Sequence, residues 1–139
     1  MSALAMIPPS LGVKGVKKFV IETVVKAGAQ PCPPIILGIG IGGTVDLTFK
    51  LAKLALLRKI GDRNPDKNIS TLENELLELI NETGIGPMGL GGKITCLDVR
   101  IEYAHSHTAS LPVGINIQCW ADRKATAKIS SDGSVEYIH

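Results

Sequence analysis

The spacing of apolar residues predicts helices in the first half of the chain. Apolar side chains recur every three or four positions over residues 13–27, and again over 45–59, where Thr44 is suited to be the N-cap. A third helix is predicted to follow residues 70–73, whose sequence Ser-Thr-Leu-Glu fits a capping box. Between the first two helices a proline-rich stretch leads into the apolar run 35–37, which is typical of a short buried strand.

The second half of the chain changes to a period of two, which is typical of strands. Apolar and polar residues alternate over 97–103, 113–119 and 124–129, and Ser131-Asp132-Gly133 predicts a hairpin turn into a last strand at 135–137. We therefore expect an α+β fold over residues 1–139, as a single domain or subdomain. Helices from the first half should pack on one side of a mostly antiparallel sheet formed by the second half.

Composition and charge exclude some classes of binding partner, but they say less about the fold. The chain has 139 residues and a formal net charge of +2, which is too small to indicate a nucleic-acid or membrane surface. The longest apolar stretch, residues 32–45, is interrupted by prolines and glycines and is too short to span a bilayer. Residues 1–9 lack the basic start and the apolar run of a signal peptide, so we expect a cytoplasmic protein.

Three cysteines and two neighbouring histidines are the candidate metal ligands. The odd number of cysteines and the absence of a C-x-x-C pair argue against a disulfide scaffold and a zinc ribbon. Cys32 lies between prolines and Cys119 ends a predicted strand, whereas Cys96 is interpreted as a core thiol. His105 and His107 would share one side of an extended segment. They could form a zinc site with a cysteine, but an exposed pair in a polar loop is the favoured interpretation.

A glycine-rich turn is the other candidate site. Gly38-x-Gly40-x-x-Gly43 follows a predicted strand and precedes a helix, as in a dinucleotide-binding turn. That fingerprint needs a second strand ending in an acidic residue about 20 positions later. Residues 61–65 at that distance do not have a strand pattern. Binding of another anion at the Gly38–Thr44 turn, or simple close packing, is therefore favoured over binding of a nucleotide.

Five motifs that follow one another along the chain resemble a single family. They are Cys32-Pro33-Pro34, Gly38-x-Gly40-x-Gly42-Gly43-Thr44, Asn81-x-x-Gly84-Ile85-Gly86-Pro87-Met88-Gly89-Leu90-Gly91-Gly92, His107-Thr108-Ala109-Ser110-Leu111-Pro112-Val113 and Gln118-Cys119-Trp120. In this order they resemble the iron–sulfur class I fumarate hydratases and the related L-tartrate dehydratases. The resemblance is to the later part of the α subunit, or N-terminal catalytic domain, and covers about residues 1–129.

The resemblance implies a hydro-lyase that hydrates fumarate reversibly to L-malate, a reaction of the tricarboxylic acid cycle, or acts on a related dicarboxylate. It implies a 4Fe–4S cluster held by three cysteines, two of which match Cys32 and Cys119, with one iron left open for substrate. His107 matches the active-site histidine, while Cys96 and His105 match no functional motif. Loop residues expected near the cluster or the substrate are Gly40, Gly42, Gly43, Thr44, Gly89, Gly91 and Gly92.

The resemblance also implies parts that this chain does not contain. The third cluster cysteine and most substrate-binding arginines would lie in an upstream α segment, and the general base in a β subunit or C-terminal domain. Met1-Ser2-Ala3-Leu4 resembles an internal stretch of the family. We therefore expect a fragment of an oligomer, inactive and without a cluster on its own. Fumarate, tartrate and a methylated analogue all stay open as substrates, and so does an assembly subdomain without catalysis.

Overall fold

A computed structural model describes residues 1–121 and 125–138, which contain six strands and three α-helices. The strands are β1 (Ser2–Ile7), β2 (Ile35–Ile41), β3 (Cys96–Tyr103), β4 (Leu111–Gln118), β5 (Thr126–Ile129) and β6 (Val135–Ile138). The helices are α1 (Gly12–Ala27), α2 (Val45–Leu57) and α3 (Lys67–Glu82), with short 3-10 turns at Pro9–Leu11 and Pro87–Gly89. Residue 124, the first position of a predicted alternation, lies outside the described residues. Within the described ranges, none of the helices is long and apolar enough to cross a lipid bilayer.

Four strands form one mixed sheet in the order β1-β4-β2-β3. Strand β4 runs antiparallel to both β1 and β2, whereas β3 runs parallel to β2. Strands β5 and β6 pair as a separate antiparallel hairpin. The α+β class is therefore confirmed, although β1 and β2 come from the first half of the chain. The pattern does not predict β1, because its sequence Ser-Ala-Leu-Ala-Met-Ile does not alternate between apolar and polar residues.

Helices cover both faces of the sheet rather than one side only. Leu37 and Ile39 of β2 are fully buried in a core that also contains side chains of α1 and α3, such as Val20 and Leu76. Because side chains alternate along a strand, the residues between them face the opposite way. On that second face, a Cβ atom built on Gly38 would lie 2.2 Å from the carbonyl oxygen of Ala52 in α2. The prediction of helices on a single side is wrong for α2.

Two glycines of β2 let α2 approach the sheet more closely than any side chain would allow. A Cβ atom on Gly40 would lie 2.0 Å from the carbonyl oxygen of Thr48, and real Cβ contacts essentially never fall below 3.0 Å. The Thr48 hydroxyl then donates to the carbonyl oxygen of Gly42 at 2.6 Å, which ties α2 to the end of the strand. Gly38 and Gly40 therefore lie within β2, not in a turn, and their role in this structure is helix packing.

The polar face of β3 is buried as well, although its alternation predicts a solvent-exposed face. Asp98 is 0% exposed and Arg100 is 2% exposed. The Arg100 guanidinium donates to Asp98 Oδ2 at 2.9 Å and to the carbonyl oxygen of Leu56 at 2.9 Å; it also donates to that of Arg58. A cation is favourable at the carboxyl end of a helix, so Arg100 fastens the end of α2 to the sheet.

Helix α3 begins earlier than its sequence predicts and carries a buried carboxylate. Its N-cap is Asp66, which accepts a hydrogen bond from the Asn68 amide at 2.8 Å, so Ser70 is not the cap. Glu73, which the predicted capping box uses, instead accepts from the Ile101 amide at 2.8 Å and from the Asn64 amide at 2.9 Å. Glu73 therefore satisfies a backbone donor on the outer edge of β3, where no further strand of the described sheet pairs.

We predict that Gly40→Ala destabilises the fold through overpacking, by about 2–3 kcal/mol. The new methyl group would meet the backbone of α2 at 2.0 Å, and a backbone atom cannot rotate away. Gly114→Ala is the matched control, since its Cβ would meet the Thr48 methyl at 3.0 Å. Thermal unfolding should show a drop of roughly 5–15 °C for Gly40→Ala and a smaller one for the control. Equal losses in the two variants would contradict this account of the packing.

The buried Asp98 carboxylate should make the stability of the fold depend on pH in the acidic range. Burial raises its pKa, but hydrogen bonds from Arg100, the Gly61 amide and Arg63 outweigh burial, so its pKa is lowered below 3.8. A lowered pKa in the folded state gives stability that is present above the unfolded pKa and lost as the pH falls through the folded pKa. Asp98→Asn leaves Arg100 buried without its anion and should cost about 3–5 kcal/mol at pH 7.

Urea unfolding of wild type and Asp98→Asn at pH 7 and pH 3 checks this prediction. The difference in free energy of unfolding between the two proteins should shrink at pH 3. The exposed Glu78 supplies a control, because Glu78→Gln removes a charge that is not buried. A difference that stays constant with pH would show that Asp98 acts through shape alone.

Candidate functional site

The segments of the two cysteines expected to bind a cluster are brought together at one end of the central strands β2 and β4. Cys32 precedes β2 and Cys119 directly follows β4. Since these strands are antiparallel, the start of one lies beside the end of the other. The backbone amide of Trp120 donates to the carbonyl oxygen of Cys32 at 3.3 Å, so the residue after Cys119 is in direct contact with Cys32. We call this end of the two strands, with Cys32 and Cys119, the cysteine end.

The backbone at the cysteine end has an unusual conformation. Cys32 has a φ of 52°, in the left-handed region that residues with side chains seldom adopt. Such strained conformations persist where the surrounding structure holds them, and they concentrate at functional sites. Cys32 is exposed and Cys119 is half-buried. Accessible thiols at this edge suit metal binding better than buried ones do.

The second glycine-rich loop, residues 85–92, also lies at the cysteine end. The Met88 amide donates to the carbonyl oxygen of Pro33 at 2.8 Å, which places the loop next to Cys32. A Cβ atom on Gly89 would lie 2.4 Å from Cβ of Ala29, so the loop packs closely against the segment that precedes Cys32. Gly89 is thus placed beside the segment that precedes Cys32, and Gly91 and Gly92 belong to the same loop.

Cys96 differs from the other two cysteines in that it is buried in the core. It is 1% exposed, and its thiol donates to the carbonyl oxygen of Asp98 at 3.1 Å. Burial raises the pKa of this thiol to about 12. Because the thiolate is the form that binds metal, Cys96 is a core residue and not a ligand in this fold.

His107 lies at the opposite end of strands β2 and β4. The segment 104–110 joins the end of β3 to the start of β4, next to the end of β2. We call this region the histidine end. An open cavity of about 700 Å³ lies here, lined among others by Gly43, Thr44, His105, Ser106, His107 and Ser110. Gly42 fits this corner because its φ is 80° and a Cβ atom would lie 2.0 Å from the carbonyl oxygen of Ala104.

The hydrogen bonding of His107 assigns its neutral tautomer. The Ala109 amide donates to Nδ1 of His107 at 3.1 Å, so Nδ1 is an acceptor and Nε2 carries the proton. The exposed Nε2–H can therefore donate to an acceptor such as a carboxylate. His105 is placed differently, with its ring edge-on to Tyr103 at 6.4 Å between ring centres.

The turn before α2 is less suited to an anion than its glycines indicate. Gly42, Gly43 and Thr44 form the turn, but Gly38 and Gly40 belong to β2. Asp46 already provides a negative charge in the first turn of α2. The Thr44 hydroxyl donates to it at 2.6 Å, and this bond holds the pKa of Asp46 below its usual value. A bound anion would meet this carboxylate, which weighs against the anion-binding or nucleotide-binding interpretation.

The cysteine end and the histidine end are separated by the full length of β2. Ile35 and Ile41 are six steps apart, which at about 3.3 Å per residue is roughly 20 Å. Among the described residues there is no group of three or more His, Cys, Asp or Glu side chains placed to hold a metal ion. The chain therefore brings together two expected thiol ligands and keeps His107 away from them.

Asn81 is a positioning residue to which the sequence analysis assigns no role. Its side-chain oxygen accepts from the amides of Thr95 and Cys96 at 2.8 and 2.9 Å, and its amide donates to the carbonyl oxygen of Cys96 at 3.2 Å. The Thr95 hydroxyl in turn accepts from the Gly86 amide at 3.0 Å. Asn81 thereby fixes both ends of the loop beside Cys32. Its place in the third motif is the signal that could have identified it.

These features define an α+β subunit with a pair of accessible cysteines at one end of a mixed sheet and an exposed histidine cavity at the other. The fumarate hydratase (Fumerase) family model matches residues 1–128. The chain belongs to this family, and the resemblance of its five motifs to the iron–sulfur class I members is confirmed.

Relatives of the chain carry the name of one type of subunit. The chain is 64% identical over 135 residues to the L(+)-tartrate dehydratase subunit alpha proposed for Methanocaldococcus jannaschii. The aligned region covers 97% of this chain and 47% of that protein. It is 38% identical over 130 residues to the L(+)-tartrate dehydratase subunit alpha of Escherichia coli K12, and equally to that of Shigella sonnei, covering 94% of this chain and 43% of each. The chain thus spans less than half of the length of these relatives.

We predict that the three cysteines react with alkylating reagents in a defined order. Exposed Cys32 should be modified first at pH 8, and half-buried Cys119 more slowly. Cys96 should react only after unfolding, because burial raises its pKa to about 12. Peptide mass mapping after timed iodoacetamide treatment, with and without denaturant, measures the order. Rapid labelling of Cys96 in the folded protein would contradict the assignment of Cys96 to the core.

Proposed function

We propose that this chain is part of the α subunit of an iron–sulfur hydro-lyase that acts on a dicarboxylate. The observation that carries the proposal is the contact between the two cysteine segments, in which the Trp120 amide donates to the carbonyl oxygen of Cys32. Each of the two segments carries a cysteine. Cys32 and Cys119 are 119 − 32 = 87 positions apart along the chain, yet the fold brings their segments together. The family membership of the chain supports the same conclusion.

The cysteine end fits two of the three thiolate ligands that a site-differentiated cluster needs. Cys32 and Cys119 are accessible soft donors, which iron–sulfur clusters require. Cys96 does not contribute, since it is buried and hydrogen-bonded within the core. The third thiolate, in this proposal, comes from a part of the protein outside this chain. When bound, the cluster supplies a Lewis-acidic iron for the hydroxyl and carboxylate of the substrate.

The chain's own residues shape the surroundings of that site. In loop 85–92 the glycines leave backbone groups uncovered by side chains next to the Cys32 segment, while Met88 and Leu90 of the same loop carry exposed apolar side chains. Asn81 and Thr95 hold the loop in place through four hydrogen bonds. A site lined by fixed backbone groups orients a substrate without the loss of side-chain freedom that flexible residues would incur.

His107 is proposed to act as a hydrogen-bond donor to the substrate. Its Nδ1 is occupied by the Ala109 amide, so the neutral ring offers Nε2–H to a carboxylate oxygen. His107 lines an open cavity, so its ring can be reached from outside this chain. The general base and most cationic substrate ligands belong to the remainder of the protein, so the chain alone is expected to be inactive.

Fumarate is the substrate we propose first, with L-malate as its hydration product, while L-tartrate is the compound named in the relatives. Both are four-carbon dicarboxylates, which suit the same kind of site. We propose the cytoplasm as the compartment, since the cysteine pair must stay reduced to bind iron.

Anaerobic reconstitution with iron and sulfide tests the proposal on the assembled protein, consisting of this chain with its upstream segment and partner subunit. We expect one 4Fe–4S cluster, measured by visible absorption and iron content, together with hydration of fumarate or dehydration of tartrate. Cys32→Ser and Cys119→Ser should each abolish the cluster, because two remaining thiolates hold it poorly.

Cys96→Ala is the matched control and should keep the cluster, because Cys96 is a core thiol. The isolated chain should take up no stable cluster. If both serine variants bind a cluster as well as the wild type does, the cysteine end is not the cluster site.

A further inference from the structure

Asn116 is a buried polar residue whose hydrogen bonding is incomplete. It lies in β4, opposite Ser2 of β1 and Gly38 of β2, and is only 5% exposed. The Ser2 hydroxyl donates to Oδ1 of Asn116 at 2.7 Å, but Nδ2 has no hydrogen-bond partner within the described part of the chain. Buried side-chain amides are nearly always hydrogen-bonded, so an unsatisfied donor in a central strand needs an explanation.

Asn116 lines a cavity that is separate from the one beside His107. The cavity has a volume of about 300 Å³ and is partly open. It lies between the end of α2, the start of β1 and the end of β4. The two cavities have no lining residue in common. Besides Asn116, the lining of this second cavity includes Lys53, Leu56, Leu57, Ile117 and Gln118.

The charged group of this cavity is positive and has no ionic partner in the described ranges. Lys53 is exposed and forms no ion pair with another described residue. Among the described residues, no Asp or Glu lines the cavity. An ammonium group and an amide N–H are both donors, and together they suit an anion with two acceptor oxygens, such as a carboxylate.

We propose that this cavity binds the carboxylate of a small aliphatic acid. One carboxylate oxygen accepts from Nδ2 of Asn116, and the other accepts from the Lys53 ammonium. The aliphatic part of the acid rests against Leu56, Leu57 and Ile117, which form an apolar wall of the cavity. The apolar wall makes an aliphatic acid a better ligand than an inorganic anion.

Entry of the acid requires a small rearrangement, because Nδ2 of Asn116 is enclosed. Three of the side chains that line the cavity are exposed and can change rotamer, those of Met1, Lys53 and Leu57. The strand that carries Asn116 is paired on both sides and stays in place. The site goes beyond the proposed function, since it contains neither the cysteines nor His107.

Titration of the assembled protein with butyrate tests the proposal, with asparagine side chains labelled with ¹⁵N and observed by NMR. The side-chain amide signal of Asn116 should shift in a saturable way, and its absence in Asn116→Asp identifies it. Lys53→Gln should weaken the affinity for butyrate by about two- to fivefold, as expected for the loss of an exposed ion pair. Because Lys53 is exposed, this variant keeps the fold even if Asn116→Asp does not.

Lys50→Gln is the matched control, because Lys50 is also an exposed lysine of α2 but does not line the cavity. Its affinity for butyrate should equal that of the wild type. The absence of a saturable shift with butyrate, or equal losses in the two lysine variants, would overturn the proposal.

A comparison of ligands tests the chemistry of the site. Butyrate should bind more tightly than formate, by up to about fourfold for each methylene group that is buried. Butylammonium should not bind. If it bound in place of butyrate, Asn116 would present its oxygen to the cavity and donate Nδ2 to the Ser2 hydroxyl, which would overturn the proposal.

Cys32→Ser separates this site from the proposed cluster site. The variant should bind butyrate as the wild type does, whether or not it holds a cluster, because Cys32 does not line the cavity. Loss of butyrate binding in Cys32→Ser would show that the acid binds at the cysteine end and would overturn the proposal. A failure of cluster reconstitution in the wild type would instead count against the proposed function alone.

Discussion

The close contact between β2 and α2 is the constraint on which the rest of the structure depends. Gly38 and Gly40 leave no side chain between the strand and the helix backbone, and Thr48 and Arg100 then fasten the helix at its two ends. Any larger residue at these glycines would push α2 away from the sheet and separate it from both anchors. The geometry of the histidine end follows from this contact, because the turn at Gly42–Thr44 is tied to α2 by the Thr48 hydroxyl.

Buried charged residues also hold the helices against the sheet. Asp98 and Arg100 lie under α2, while Glu73 reaches from α3 to the outer edge of β3. These charges are tolerated in the interior because each is paired and hydrogen-bonded. Loop 58–66 is held against β3 by the same groups, through Arg58, Arg63 and Asn64. An edge strand that would otherwise expose its backbone is thus covered within the subunit, which limits uncontrolled strand pairing.

The division of functional groups between two ends changes how the subunit is understood. The two cysteines proposed as ligands lie at one end of strand β2, and the histidine proposed to bind substrate lies at the other. The long paired strand between them acts as a spacer that no side-chain motion can shorten. Large apolar side chains, among them Leu90, Met88 and Val45, are exposed at the two ends of this strand.

The sequence by itself determined the helices, most strands, the α+β class and the family, because these depend on local periodicity and on motifs that follow one another along the chain. It also singled out Cys32 and Cys119 as candidate ligands, since both lie in motifs of the family. It did not show that Gly40 is a packing residue in a strand, that α2 covers the second face, or that Asp98 and Glu73 are buried. Those features depend on contacts between residues far apart in the chain, where a glycine leaves no apolar signal and a paired charge resembles an exposed one. Only the tertiary structure decided that the segments of Cys32 and Cys119 are in contact and that His107 lies elsewhere. Distance in space is set by the direction and length of β2 and not by the order of motifs.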